Sequence, residues 1–287
     1  FLYHLIKYGR FKSIHTQLTT SPGHHFFGYY EKSPWCASGQ FVLTHEAAFN
    51  DRPPMAEDRV KIGYVDTSDP GIFNELTESN AWNWQQGSML QWDPKAPNDR
   101  VYYNDRRNGA YVAVRHSIKN GEDRCFGHPI YAISPDGNSA FSLNFSRLQT
   151  WRPGYGYAGV PDPVAAIGQP DNDGIFRVDL NTDESTLIIS LDQLANTNTL
   201  PGMRNTTHWV NHIQVSPSGT RIAFFHIWQD TEEWKVRFYS CRPDGSELNC
   251  LLDTGDVSHY DWQDESQILV WAKTPEGPGT HFLLCNI

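Results

Sequence analysis

The sequence predicts an all-β fold: a β-propeller of four-stranded blades forming a single domain over residues 1–287. Three observations carry this. Short apolar or aromatic runs recur with polar turns between them, the pattern of strands rather than long helices. A turn of the type Ser-Pro-x-Gly returns at Ser134–Gly137 and Ser216–Gly219, with a relative at Arg242–Gly245. One unit (strand, polar turn, strand, hairpin, strand) repeats with Trp35, Trp92, Ser134, Ser216 and Trp262 at similar points. A sheet of this size cannot bury both faces alone, so neighbouring blades must supply the core.

Taken in order, residues 1–22 hold a short amphipathic piece and a polar approach. Residues 23–45, GHHFFGYYEKSPWCASGQFVLTH, read as a strand, a Pro/Gly-marked turn and a second strand. A Pro-rich loop follows at 46–59, then a strand at 60–65 and a turn at 66–71. The run WNWQQGSMLQW (82–92) leads to paired strands around Asn108-Gly109, the strongest hairpin signal in the chain. Two alternating runs flank Ser134–Gly137. Residues 146–173 then form a long irregular insert, and connections of that length are often functional. Beyond it come paired strands at 174–190, the HWVNHIQVSPSG unit, a hairpin around Arg242–Gly245, and VSHYDWQDESQILVW. Four whole blades and the start of a fifth are visible. The chain ends in mid-strand, whereas a propeller closes its ring to remove exposed edges, so the domain is expected to be incomplete at its C-terminus.

Net charge is −10, which argues against general binding to nucleic acid or an anionic membrane surface. No run reaches transmembrane length. Of the five cysteines, Cys241 and Cys250 are placed to bridge a hairpin, but an odd count suits reduced, scattered thiols equally well. Ten tryptophans and thirteen tyrosines exceed ordinary core needs and suit sugar-stacking grooves or inter-strand packing. Arg106, Arg107, Arg147, Arg152 and Arg204 are candidates to line one cleft for an anionic ligand.

The candidate chemistry is acid/base. A strand, turn and strand return His45 towards His25, and neutral imidazoles beside tyrosines suit proton transfer. His25, Gln86, His128, His212 and His259 each precede the inner-strand turn of a unit, so the repeat can set them on one ring. Arg106 stands before the Asn-Gly turn, where a guanidinium can grip a carboxylate bidentately. Tyr155 and Tyr157 on the insert can stack on a sugar or donate a phenolic proton. A histidine base, a tyrosine or second histidine as acid, and an arginine on the carboxylate form a set for β-elimination of a uronate polysaccharide. Hydrolysis would instead need two facing carboxylates; Glu31, Glu46, Asp105 and Asp261 are available, though Glu31 and Asp105 read as partners of nearby cations. A metal would need His212 to meet His226 or His259 through the fold. The expected ion is divalent: zinc, manganese or calcium, of which the first two suit imidazole. No phosphate loop, dinucleotide fingerprint or nucleophile elbow is present.

The pieces HHFFGYYEKSPW (24–35), WNWQQGSMLQW (82–92), NDRRNG (104–109), NHIQVSPSG (211–219) and SHYDW (258–262) resemble the β-propeller polysaccharide lyases of the oligogalacturonate lyase and ulvan lyase group, and related propellers of bacterial polysaccharide clusters. The resemblance implies seven blades when complete and an acidic oligo- or polysaccharide as partner. It implies His25 and His45 as the catalytic pair and Arg106 on the uronate carboxylate. The tyrosine that ulvan lyases bring from the intervening blade has no counterpart; Gln85, Gln86 and Met89 stand there, and Tyr155 replaces it only if the insert folds over the site. A manganese-type ion held by His212 and His259 is also implied. The competing expectations are a non-catalytic propeller binding glycans or proteins in polysaccharide assembly or export, and a hydrolase or transferase on similar sugars.

Overall fold

The computed structural model describes residues 17–20, 22–230, 233–274 and 277–287. The amphipathic opening falls almost wholly on residues 1–16, outside the described residues. The chain builds five antiparallel sheets in sequence order, each a simple up-and-down meander. The first holds β1 (His24–Phe26), β2 (Phe41–Ala47), β3 (Val60–Asp66) and β4 (Asn74–Ser79). The second holds β5 (Gln91–Trp92), β6 (Arg100–Arg107), β7 (Ala110–Ser117) and β8 (Asp123–Phe126). The third holds β9 (Ala132–Ile133), β10 (Ser139–Ser142), β11 (Gly174–Asp179) and β12 (Ser185–Ser190). The fourth holds β13 (His208–Val215), β14 (Ile222–Asp230), β15 (Glu233–Cys241) and β16 (Asn249–Gly255). The fifth has three strands, β17 (Val257–Asp264), β18 (Gln267–Thr274) and β19 (Gly277–Cys285). Four four-stranded sheets and a fifth beginning are the arrangement of propeller blades.

The repeated turn has one local cause. The side chain at its first position accepts the backbone N–H five residues on: Cys36 Sγ from Phe41 at 3.1 Å, Ser134 Oγ from Ser139 at 3.0 Å, Ser216 Oγ from Arg221 at 3.1 Å. This closes each inner strand onto the next one and repeats the blade geometry. Asn108 and Gly109 both have positive φ, 52° and 77°, as the predicted two-residue hairpin requires.

Both faces of the inner strand of the fourth sheet are covered. In β13 every residue but the last is buried, whereas the outermost β16 is half exposed. Apolar side chains fill the spaces between sheets. Leu43, Ile62, Leu90, Val101, Tyr103 and Val114 lie between the first two, and Tyr102, Ala113, Phe126, Ala140 and Val178 between the second and third. The largest cluster runs through the third to fifth sheets and takes in the insert through Phe145, Leu148 and Tyr157.

The insert is not wholly irregular. It opens with α1 (Phe145–Trp151), which starts where the Asn144 side chain accepts the Arg147 N–H at 3.0 Å. A second short helix, α2 (Leu191–Asn196), starts on Ser190 in the same way, with the Gln193 N–H at 3.0 Å. Both are too short for helical periodicity to register in the sequence, and only their caps mark them. All five cysteines are free, so Cys241 and Cys250 do not bridge the hairpin. Cys250 instead pairs in register with Tyr239, two residues before Cys241. Among the described residues no helix is long and apolar enough to cross a membrane.

Candidate functional site

Side chains from the first, fourth and fifth sheets and from the insert meet where the inner strands begin. In the first sheet Gly28, at φ +142°, follows β1 closely enough to the second sheet that a Cβ would lie 2.9 Å from the Gln86 carbonyl oxygen. That close approach turns Tyr29 and Tyr30 inward. In the fourth sheet the β13–β14 register slips between Asn211 and Gln214, and His212 takes φ +54°. In the fifth the register slips between Ser258 and Tyr260, with His259 at φ +41°. Left-handed backbone at a non-glycine residue costs about 1–3 kcal/mol, and bulges of this kind re-aim side chains. Met89, at φ +55° just before β5, repeats the feature in the second sheet.

The insert supplies the fourth wall. Asn83 donates to the carbonyls of Tyr155 and Gly156 at 3.1 and 3.2 Å. The Tyr155 ring then lies 5.6 Å from His212 and 6.2 Å from Tyr29. The Arg152 guanidinium sits 4.2 Å over the Tyr155 ring and 4.6 Å over Trp234. His259 stacks at 6.2 Å on Tyr29 and is exposed, as is Tyr30. Below them Gln86 donates to the Tyr131 hydroxyl, which donates to Asn211 Oδ1 at 3.3 Å.

His212 Nε2 lies 2.9 Å from the Tyr29 hydroxyl. Burial, and then Tyr155, push the Tyr29 phenol far up, so it keeps its proton. Burial, and then the charges of Arg152, His259 and Lys32, hold His212 well below the usual histidine range. Both groups are therefore neutral, and the direction of their shared hydrogen bond follows the tautomer of the ring. The other ring nitrogen, Nδ1, is buried and has no hydrogen-bond partner among the described residues.

The other sequence candidates lie elsewhere. His25 Nε2 is 3.3 Å from Glu46, which also meets Lys61 at 3.4 Å. His45 pairs in register with Phe26, one residue along from the His25–Glu46 pair. The strand–turn–strand does bring the two backbones together, but the two-residue period puts the rings on opposite faces of the sheet. His45 is fully buried, with Nε2 2.9 Å from Ser88 Oγ and Nδ1 3.3 Å from the Phe26 carbonyl. Arg106 lies beneath Gly159 and reaches Glu57 at 3.5 Å. His128 packs on Phe176 and lines a separate cavity of about 440 Å³. The five arginines do not share one cleft: Arg107 holds Asp105, Arg147 is buried, Arg204 is exposed, and of the five Arg152 joins the aromatic cluster. Glu31 and Asp105 do pair with nearby cations, Lys32 and Arg107.

His226 Nε2 is 2.8 Å from His208 Nδ1 inside the fourth sheet. His212 packs instead on Phe225, the neighbour of His226 along β14, and so occupies the other face. His212 and His259 are left as two imidazoles, and among the described residues no group of three or more His, Cys, Asp or Glu side chains is arranged to hold a metal.

Tyr29 and Tyr30 are not singled out by spacing, and Arg152 enters the sequence reading only as one of five candidate cleft arginines. Gly28 between two aromatic pairs, Phe-Phe-Gly-Tyr-Tyr, was the available signal, since a glycine inside a strand pattern marks a bulge or a close backbone approach. A second glycine locks the same region. Gly87 has φ +60°, and a Cβ there would lie 2.3 Å from His45 Cε1. Gly87→Ala is expected to destabilise the fold by about 2 kcal/mol or more, read as a lower urea midpoint at unchanged slope.

No known family's sequence profile matches the chain, and no curated protein matches it in sequence. Solved structures do match in shape. An oligogalacturonate lyase in complex with manganese superposes at TM-score 0.59 and 16% identity, covering 92% of this chain and 68% of that one. TolB from Acinetobacter baumannii gives 0.51 and 12%, covering 94% and 53%. A TolB from Agrobacterium tumefaciens gives 0.51 and 11%, covering 92% and 83%. The chain thus spans about two thirds of that lyase and about half of the Acinetobacter TolB. At these identities the likeness is one of fold, and the fold is a β-propeller related to both lyase-type and TolB-type propellers.

Proposed function

We propose that this chain is a non-catalytic binding propeller whose central mouth takes an acidic, uronate-containing oligosaccharide. The observation that carries this is the cluster of Tyr29, Tyr30, Tyr155 and His259 around Arg152 and the buried Nδ1 of His212, which has no partner among the described residues. Aromatic faces suit sugar rings, the guanidinium suits a carboxylate, and a buried ring nitrogen without a partner suits a sugar hydroxyl, which can donate or accept. The residues that a lyase would use, His25, His45 and Arg106, have separate protein partners and do not converge. Catalysis by that set is therefore not part of the reading.

Calorimetric titration with oligomers of galacturonate, ulvan, alginate, heparan and chondroitin tests it. At least one is expected to bind, and Tyr155→Ala to weaken it about tenfold, the loss of one aromatic contact of about 1–1.5 kcal/mol. Absence of binding across the series, or binding untouched by Tyr155→Ala, overturns the proposal. One observation favours elimination as a second reading: a protonated phenol hydrogen-bonded to a neutral imidazole, Tyr29 and His212, is an acid beside a base. Growth of the ultraviolet absorbance of an unsaturated uronate product, abolished in Tyr29→Phe, would select it.

A further inference from the structure

A second cavity, of about 270 Å³, occupies the propeller axis towards the C-terminal ends of the inner strands, where Ser216 and Pro217 of the fourth-sheet turn line it. It is lined by Glu31, Lys32, Asp261 and Trp262 among others, and by apolar side chains such as Ile213. The Glu31 side chain is only 4% exposed. Its Oε1 meets Lys32 Nζ at 2.9 Å, but its Oε2 is buried without a partner among the described residues. Lys32 is also drawn over the Tyr131 ring, 4.9 Å from its centroid. The indole N–H of Trp262 is likewise buried, with no partner among the described residues. Asp261 faces Glu31 as a like charge: partial burial, with Glu31 adding to it, pushes the Asp261 acid up. One wall thus holds an unmatched acceptor on an anion, a second carboxylate and an unmatched donor. Buried polar atoms left in this state are costly and uncommon, so each calls for a partner.

We propose that this axial cavity binds a small organic primary amine that also carries a hydroxyl. An ammonium offers three donors, enough for Glu31 Oε2 and Asp261, and the hydroxyl accepts from the Trp262 indole. The indole face and Ile213 suit the carbon skeleton. Two carboxylates against one lysine leave the wall one negative charge, which matches a single ammonium, while Lys32 opposes a divalent ion. The volume is far above the roughly 30 Å³ share of a water and below the roughly 300–1,000 Å³ of drug-sized sites, so the ligand is small. This site is separate from the aromatic mouth and does not depend on the glycan reading.

The test is calorimetric titration of the full chain with glucosamine and ethanolamine, against glucose and ethylene glycol as neutral counterparts. The amines are expected to bind saturably and the neutral molecules not to. Glu31→Gln, which keeps shape and removes charge, is expected to weaken the amines roughly tenfold or more. Tyr155→Ala is expected to leave amine binding unchanged. Amines binding no better than their neutral counterparts, or equally well in Glu31→Gln, would overturn the proposal. So would a loss in Tyr155→Ala as large as in Glu31→Gln, or displacement of the amines by sodium at equal affinity. If Glu31→Gln loses its cooperative melting transition, Trp262→Phe replaces it: weaker amine binding supports the site, and unchanged binding rejects it.

Discussion

Lowering the pH from 7 to 5 is expected to remove more than about 2 kcal/mol of folding stability, before carboxylates with ordinary or depressed values begin to titrate. The cause is a set of buried imidazoles that the fold keeps neutral. His45 is fully buried, and burial lowers it from 6.5 to about 4 against the raising effect of the Phe26 and Phe27 backbone. His208 and His226 share one hydrogen bond in the interior, and burial lowers both. His212 is lowered in the same direction. In the unfolded chain each returns to an ordinary histidine value and binds a proton below about pH 6.5. The unfolded state is then the better proton binder, so stability is complete above 6.5 and is lost as pH falls towards the folded values. His45 alone accounts for about 2 kcal/mol at pH 5. The other three add to it, while Asp173, whose acid is pushed up by burial, offsets part of the loss. Urea unfolding at pH 7, 6 and 5 checks this. A midpoint that does not move over that range would mean that these imidazoles are not held neutral. His45→Gln should flatten the dependence, since the amide cannot take up a proton.

The same histidines show what the sequence could and could not convey. The blades were legible because period-two patterning and the Ser-Pro-x-Gly turn are local signals, and each turn is closed by a bond within five residues. The proximity of His25 and His45 was legible for the same reason, since one hairpin joins them. The side on which each ring lies was equally implicit in the register, as His25 opposes Glu46 and His45 opposes Phe26. Reading it required knowing which residue pairs with which, and a one-residue slip reverses the answer. His212 and His259 escape the rule altogether, because bulges with positive φ break the alternation at both. Tyr155 and Arg152 depend on where a 28-residue insert folds back (146–173), and no local pattern specifies that. What specifies it is a set of long-range bonds from Asn83, Asn104, Tyr111 and Gln169, and a cluster of bonds gathered on one buried side chain.

That side chain is Arg147, and Arg147→Ala is expected to cost about 3–5 kcal/mol, the range for breaking a buried ion pair. Its side chain is 2% exposed and that of Asp162, its ion-pair partner at 3.2 Å, is 1% exposed. The guanidinium has five N–H donors, and five acceptors surround it. Nε donates to the His208 carbonyl at 2.7 Å; Nη1 to Asp162 at 3.2 Å and Val164 at 3.4 Å; Nη2 to Ile167 at 3.0 Å and Gly168 at 2.9 Å. One planar group thus fastens residues 162–168 to the first residue of β13, and through them the insert to the fourth sheet. Removing it takes the cation from the buried Asp162 carboxylate, which keeps Asn144 and the Val164 N–H, and a donor from each of four carbonyls. Lysine cannot substitute, because one ammonium cannot span both sides of that ring of acceptors, so Arg147→Lys should recover only part of the loss. Two readouts separate a local role from a general one. Chemical denaturation gives the stability change, and a value below about 1 kcal/mol would mean that the insert is held by its apolar contacts alone. Protease cleavage within 153–171 under native conditions gives the state of the insert. It should rise in Arg147→Ala even where the sheets remain folded, since the far end of the insert loses its anchor while Phe145 and Leu148 stay in the core. The Tyr155 ring is carried on this segment, where Asn83 and Tyr111 hold its near side, so Arg147 is one of the anchors that give the aromatic mouth its shape.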